Sequence, residues 1–597
     1  MNTMNDILRL KAAEDFLKEA SQNYGKPEAN VEKIRDLKNQ LKKSGQNFGL
    51  NGKPISFLLG KWSCVYEYVE GVMVKFETIN YKVPTDVAMY ISIDADKLLL
   101  NPRQIEEYPV FYEDYLLRYY NDIIGEVHEK FSGTDKLERL KTKIQIQKPD
   151  CRIVRRSGLL YRKEKEVFVM KLLVLFPSGS GISILGEKMS KMITGILQAV
   201  VDGGLFIDRK DMQDKLECYK KQIQIRHFCK ENGYVAFVAD GSILPRKGES
   251  EKPLKTALAF QTPESLKVTI PFSDGSVLSG MGIAKGITVI TGAGFSGKTT
   301  LLEAINAGIY NHIAGDGREY VVSDGSLTVT NAEDGRYVAN EDVSLFFSNI
   351  PFHDIKHFST THASGSVSQA ANIIEALSGG CKLLTMDEDK CATNFMIRDS
   401  LIRTIVKKEV IIPLTDRLKT LVENMDISVI MVIGGSGEYL KIADTVIMME
   451  SYEAQDVTEN VKRLKLQSEC EEMGNPYIPS RELQIKGGAM QLLAVRTLCT
   501  QDSKKVFCGN YVADLTALDA ITNNEQLHSL ARIMREVYSD CNESTKDINA
   551  LSEECVNQLF LELEGEQTEE NTGYRGWWFE EIRREDVKMC FDRMKCL

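Results

Sequence analysis

The spacing of apolar positions changes period several times along this chain, and each change predicts a different kind of element. The first 50 residues are polar with a helical period, an N-terminal arm. Between about 54 and 176, short runs suited to strands (Cys64–Tyr68, Met73–Thr78, Met89–Ile93) alternate with a helical pattern at Glu113–Glu129. Two long helical patterns follow from Lys188 to Asn232 and lead into a strand at Tyr234–Asp240. Next come an apolar β-branched run at Ile287–Ile290 and an amphipathic helix carrying Leu301, Leu302, Ile305 and Ile309. Buried strands are predicted at Lys382–Met386, Ile427–Ile433 and Thr445–Met449, and the chain after Tyr452 reads as mostly helical. The pattern divides the chain into an arm (1–50), an α+β N-terminal domain (51–232), an α/β core (233–455) and a mainly helical C-terminal domain (456–597).

With 597 residues, 43% of them hydrophobic, the chain is a globular protein too long for one core. Its net charge of −11 argues against a protein that coats polyanions. No 18-residue apolar run is present: the best stretch, Val167–Phe176, is short and broken by Lys171, so no membrane span is predicted. The start is charged and lacks a signal-peptide core, and thirteen cysteines form no C-x-x-C pair. A cytoplasmic protein with reduced thiols is expected.

The segment Gly292-Ala293-Gly294-Phe295-Ser296-Gly297-Lys298-Thr299 fits the phosphate-loop pattern G-x-x-x-x-G-K-[ST] without substitution, between a strand and a helix. These residues and Thr300 are the candidate nucleotide-binding set. Glycines let backbone N–H groups wrap a triphosphate at a helix N-terminus. Lys298 is expected to reach the β- and γ-phosphates, and Thr299 to ligate Mg²⁺. About 90 residues on, the buried strand Lys382–Met386 ends in Asp387-Glu388: Asp387 is the second candidate for the metal, and Glu388 the candidate base for an attacking water.

Between these lies Ala363-Ser364-Gly365-Ser366-Val-Ser-Gln369, ahead of a helical stretch at Ala370–Leu377. Here the chain resembles the ATP-binding-cassette (ABC) class of P-loop NTPases, whose signature opens a helix before the acidic strand; Ser364 precedes Asp387 by 23 positions (387 − 364), the spacing of familiar cassettes. Leu377-Ser378-Gly379-Gly380 looks more like the usual signature string, but it abuts the acidic strand and reads as a helix C-cap and turn. More narrowly, the chain resembles the soluble "ATPases of the ABC class". Gly280–Ile283, His312–Glu319, Ala332–Arg336, Ala363–Asn372, Asp387-Glu-Asp389, Ala392–Asp399 and Gly434-Gly-Ser-Gly437 carry that resemblance, strongly over about 230–460 and weakly before about 150. It implies ATP and Mg²⁺ as ligands, and a homodimer in which Ser364, Gly365 and Ser366 of one copy cap the γ-phosphate held by the other. It also places Asn394 on an inter-subunit loop. Gly434 stands where most cassettes have a switch histidine, and Asp389 replaces a proline. The first departure implies slow hydrolysis, or substitution by Ser436 and backbone N–H groups.

Three features stay open at this level. The region Lys136–Lys171 holds twelve Lys/Arg against four Asp/Glu, including Lys141, Arg155, Arg156, Arg162 and Lys165. It is either a solvated basic face or a phosphate-tracking surface for RNA or DNA. Asp316-Gly-Arg318 and Asp334-Gly-Arg336 are either hairpin turns, or sites from which Arg318 or Arg336 contacts nucleotide or the opposing subunit. Arg398-Asp399 forms an intrahelical or a cross-dimer pair. The expectation is an ATPase with ATP sandwiched between two cores, moving the flanking domains; the alternative is a nucleotide-gated RNA or DNA clamp with little hydrolysis. A transporter subunit is disfavoured, because only a short connection joins an expected strand at Ser344–Phe347 to the Ser364 helix.

Overall fold

The computed structural model describes residues 31–44, 64–80, 83–132, 142–176 and 186–464, less 249 and positions 399–401, 403–404 and 407. In the C-terminal part it describes 476, 478, 482–485, 495–500, 502–539, 544–564 and 574–596. Most of the expected arm lies outside these residues. The chain divides into two compact units, Met1–Asp214 with Gln558–Glu581, and Lys215–Asn557 with Ile582–Leu597. The division falls at 214, within the second of the two long helices (Arg209–Asn232), rather than at 232.

The first unit is built on a mostly antiparallel sheet whose long strands are Val72–Asn80, Val83–Asp94 and Val167–Leu175. Strand Val31–Lys33 joins its edge in parallel, so this part of the expected arm belongs to the sheet. Helix Pro109–Ser132 carries Glu113 and Asp114, both buried, and these acids meet the basic region. Arg156, 1% exposed, donates to Asp114 (2.6 Å), Asp150 (2.7 Å) and Glu580 (2.9 Å), and Arg152 pairs with Asp150 and Glu580. Arg155 reaches Glu113 (3.1 Å). Three of the arginines counted along the sequence, 152, 155 and 156, thus belong to an internal ion-pair cluster and do not form a phosphate-tracking surface. Buried charges require such partners. Lys143, Lys148 and Lys163 remain exposed, and Lys141 lies outside the described residues.

Two sheets of the second unit share a core. An antiparallel one orders β2 (Lys267–Pro271), β3 (Val277–Ala284), β1 (Tyr234–Ala239) and β5 (Val321–Ser323). The other orders β6 (Thr328–Val329), β7 (Leu383–Asp387), β8 (Ser428–Val432), β4 (Ile287–Gly292), β9 (Thr445–Glu450) and β10 (Glu453–Asp456). The first five are parallel and β10 returns antiparallel. The near-continuous apolar sequences of β4, β7, β8 and β9 follow from burial on both faces. Ile290, Leu301, Leu302, Ile305, Leu383, Ile430, Val432 and Ile447 share one core, which fixes helix α1 (Lys298–Ala307) against this sheet. The carboxyl ends of β4, β7 and β8 are neighbours, the edge at which open α/β sheets bind ligands.

Helix α2 (Gly365–Ser378) starts at Ser364 and stops at Gly379, with Gly380 in the left-handed region (φ 82°), so Gly379-Gly380 is the cap and turn its sequence suggests. No strand forms at Ser344–Phe347. Val343 accepts N–H groups from both Phe346 and Phe347 in a tight turn, and Phe347 makes only an isolated bridge to Ile411. The two phenylalanines are buried, which gives this turn the apolar look of a strand; Phe346 packs edge-on against Phe395 at 5.0 Å. Asp316-Gly317 and Asp334-Gly335 are turns with left-handed glycines, but neither joins a hairpin. After 456 the helices are accompanied by a four-stranded antiparallel sheet absent from the sequence reading: Val495–Thr500, Ser503–Cys508, Tyr511–Asp514 and Met594–Cys596. Among the described residues no single helix is long and apolar enough to cross a membrane.

Candidate functional site

The phosphate loop leaves β4 through Gly292 at φ 137°, where a Cβ would lie 2.2 Å from the Met449 carbonyl oxygen; only glycine fits. Phe295 follows in the left-handed region (φ 59°) with its ring 99% exposed, and Gly297 (φ 100°) opens α1. No side chain caps this helix start, which leaves its first N–H groups for an anion. Lys298 folds back over the loop and donates to the carbonyls of Gly292 (2.9 Å) and Ala293 (2.8 Å).

Two strands away, Asp387 ends β7 almost fully buried and accepts the Thr299 hydroxyl at 3.0 Å. Asn331, which the sequence reading did not single out, meets the Asp387 N–H at 3.3 Å. Glu388 is half-buried, and its Oε2 accepts two backbone N–H groups, from Gly434 (2.6 Å) and Gly435 (2.7 Å). These glycines leave the end of β8, the strand between β4 and β7. The glycines at the expected switch position thus meet the carboxylate of Glu388. The Ser296 and Ser436 hydroxyls are buried without a hydrogen-bond partner, the first in the phosphate loop and the second next to Gly435.

The signature segment is held from below and open above. Ser364 is exposed and its side chain does not cap its own helix. The Asp334-Gly335-Arg336 turn supports the segment: the Gly335 N–H donates to the Ala363 carbonyl (2.8 Å) and the Ala363 N–H to that of Arg336 (2.9 Å). A Cβ on Gly365 would stand 3.0 Å from Asp334 Oδ1. Arg336 is buried on Asn372 and Glu375, and Arg318 is buried on the Leu244 carbonyl (2.7 Å). Neither arginine is available to nucleotide or to another subunit, because both brace the interior. Gln369 ties α2 to the next loop, accepting the Ala392 N–H (2.9 Å) and donating to Thr330 (3.2 Å) and Cys391 (3.0 Å). Burial, with Asp387 and Glu388 nearby, pushes the Cys391 thiol up to about 12 despite the Gln369 hydrogen bond. Asn394 is exposed and accepts from Arg398 (2.8 Å), which also binds Glu409 (2.7 Å); Asp399 lies outside the described residues.

The last helix, α3 (Arg584–Asp592), lies against this helix. Arg593 donates to Glu333 (2.5 Å) and Asn372 (3.0 Å) and lies 3.7 Å from Glu375; Arg584 donates to the Gly379 carbonyl (3.1 Å). Burial acts to raise the Glu333 carboxyl, but Arg593 and Arg336 outweigh it and hold it below the usual range.

Residues 208–481 match the family model of the ABC_ATPase P-loop domain. The uncharacterized protein MJ1628 of Methanocaldococcus jannaschii is 31% identical over 286 residues; the match covers 46% of this chain and 58% of that protein. Among solved structures, cbiO1 from Clostridium perfringens, part of the ABC transporter complex cbiONQ, is 14% identical over 39% of this chain and 92% of its own, with a TM-score of 0.23. An inward-facing putative metal-chelate type ABC transporter is 15% identical over 42% and 93%, with a TM-score of 0.25. Likenesses of that degree say nothing of transport. The phosphate loop, the acidic strand end and the family match over 208–481 together make this part of the chain a P-loop ATPase domain of the ABC class.

Proposed function

We propose that this chain binds ATP with Mg²⁺ and hydrolyses it to ADP and phosphate between two copies of itself. The observation that carries the reading is the approach of Thr299 Oγ1 to Asp387 Oδ2 at 3.0 Å, beside Lys298 and two buried, unpartnered hydroxyls. A hydroxyl and a carboxylate are the oxygen donors that Mg²⁺ takes from a protein in nucleotide sites, so the residues fit the ion. When bound, the metal supplies charge neutralisation on the phosphate oxygens.

The chain's own groups do the rest. The uncapped N–H groups of the loop and α1 bind the phosphates, and Lys298 exchanges its two carbonyl partners for phosphate oxygens. Ser296 and Ser436 gain the acceptors they lack. Glu388 takes a proton from a water whose oxygen bonds to the γ-phosphorus as the bond to the β,γ-bridging oxygen breaks, leaving that electron pair on ADP. Ser364, exposed at the start of α2, and the half-buried Gly365 and Ser366 meet the γ-phosphate held by the second copy, and Asn394 lies on the adjoining loop.

Light scattering and phosphate release on the Glu388→Gln chain test this. The expected outcome is ATP-dependent doubling of mass with turnover reduced about 100-fold or more. Undiminished phosphate release by that variant would remove Glu388 from its role. A monomer at saturating MgATP would remove the paired arrangement.

A further inference from the structure

Glu388 is held by the main chain rather than by a side chain. Both close donors, the N–H groups of Gly434 and Gly435, converge on Oε2, while Oε1 has no hydrogen-bond partner among the described residues. Neither glycine lies in the left-handed region, so backbone conformation does not explain them. A Cβ on Gly434 meets nothing nearer than Glu388 Oε2 at 3.8 Å, and one on Gly435 nothing nearer than Glu388 Oε1 at 3.7 Å. The carboxylate therefore faces two bare α-carbons, and any longer side chain at these positions would stand in the space beside it. The donors leave the end of β8, between the strand of the phosphate loop and the strand of Asp387. Their position is set by the same core that sets the other two.

We propose that the Gly434–Gly435 backbone is the positioning device for Glu388. Its two peptide N–H groups fix Oε2, so that Oε1 is aimed at the reacting water, and its missing side chains keep that space open to water. This deepens the reading of Glu388 as the base and rests on it. Because main-chain donors survive other substitutions, a donor is removed only by proline, which lacks the N–H. Gly434→Ala and Gly435→Ala keep both donors and have room for the added methyl.

The test uses the full-length chain in two arms. In the first, amide hydrogen exchange is followed by mass spectrometry in the peptide spanning 433–437, for the wild type and Glu388→Ala. Exchange there is expected to accelerate at least tenfold without Glu388, with the neighbouring strands unchanged; unchanged exchange overturns the proposal. In the second, kcat and fluorescent-ATP affinity are measured for Gly435→Pro and Gly435→Ala, each in the wild-type and Glu388→Ala backgrounds. Gly435→Pro is expected to lower kcat at least tenfold with nucleotide affinity unchanged, and to cost nothing further when Glu388 is already alanine; Gly435→Ala should stay within threefold of wild type. An equal loss from the proline in both backgrounds shows that it acts independently of Glu388, and also overturns the proposal. Should the wild-type chain release no phosphate at all, the hydrolytic reading fails, and the exchange arm alone decides whether these glycines hold Glu388.

Discussion

Thr299 and Asp387, 88 residues apart in sequence, share a hydrogen bond of 3.0 Å. The phosphate loop and the acidic strand end therefore converge on one point. Asp387→Asn keeps the shape but removes the charge. Fluorescent-ATP titration should then show affinity that no longer rises with Mg²⁺, with at least a tenfold loss at millimolar metal. Retained magnesium dependence would move the ion elsewhere.

Gly292→Ala should disable the loop. The new methyl would stand 2.2 Å from the Met449 carbonyl oxygen, at a φ of 137° that alanine does not tolerate. The expected cost is about 2–4 kcal/mol of stability, in the range for strained backbone and overpacking. Thermal unfolding should fall and the shift on adding MgATP should vanish.

Arg593→Ala should destabilise the second unit by about 3–5 kcal/mol, because it strands Glu333 beside Glu375 inside the protein. Glu333 titrates below a free glutamate when folded, so its contribution is full above about pH 4.3, the free value, and is lost as pH falls through the lower folded value. Chemical denaturation from pH 7 down to pH 3 should show this acid-side loss in the wild type and a weaker one in Arg593→Ala. Equal slopes would mean that other carboxylates dominate.

Gln369→Ala should leave the phosphate loop untouched and weaken the coupling of α2 to the loop bearing Asn394, since one side chain makes all three links. Nucleotide affinity of the isolated chain should hold. The protein concentration needed for ATP-dependent pairing, read by light scattering, should rise at least tenfold.

What the sequence disclosed was local. The phosphate loop, the strand before Asp387 and the cap at Gly379 each depend on residues within one turn or strand, where period and spacing carry the information. The 23-residue step from Ser364 to Asp387 works for the same reason, since one helix, one turn and one strand fill it. What stayed hidden joins distant segments. Glu388 meets Gly434 through a main-chain N–H that leaves no mark in residue identity. Arg156 finds Glu580 at a separation of 424 residues, so the count of charges over 136–171 registered the arginines and missed an acid that neutralises them. Phe346 and Phe347 looked like a strand because burial, which they have, and pairing, which they largely lack, give the same apolar run.

The attachment of Arg593 and Arg584 to α2 also bears on biosynthesis. Proteins are made from the N-terminus onward, and Glu333, Asn372 and Glu375 emerge from the ribosome more than 200 residues before the arginine that neutralises them. Until Arg584 and Arg593 have been made, the helix that opens at Ser364 lacks these partners, whereas Lys298 and Asp387 already have their neighbours. A nascent chain can therefore hold the phosphate loop and the acidic strand end together before α2 has met its last partners.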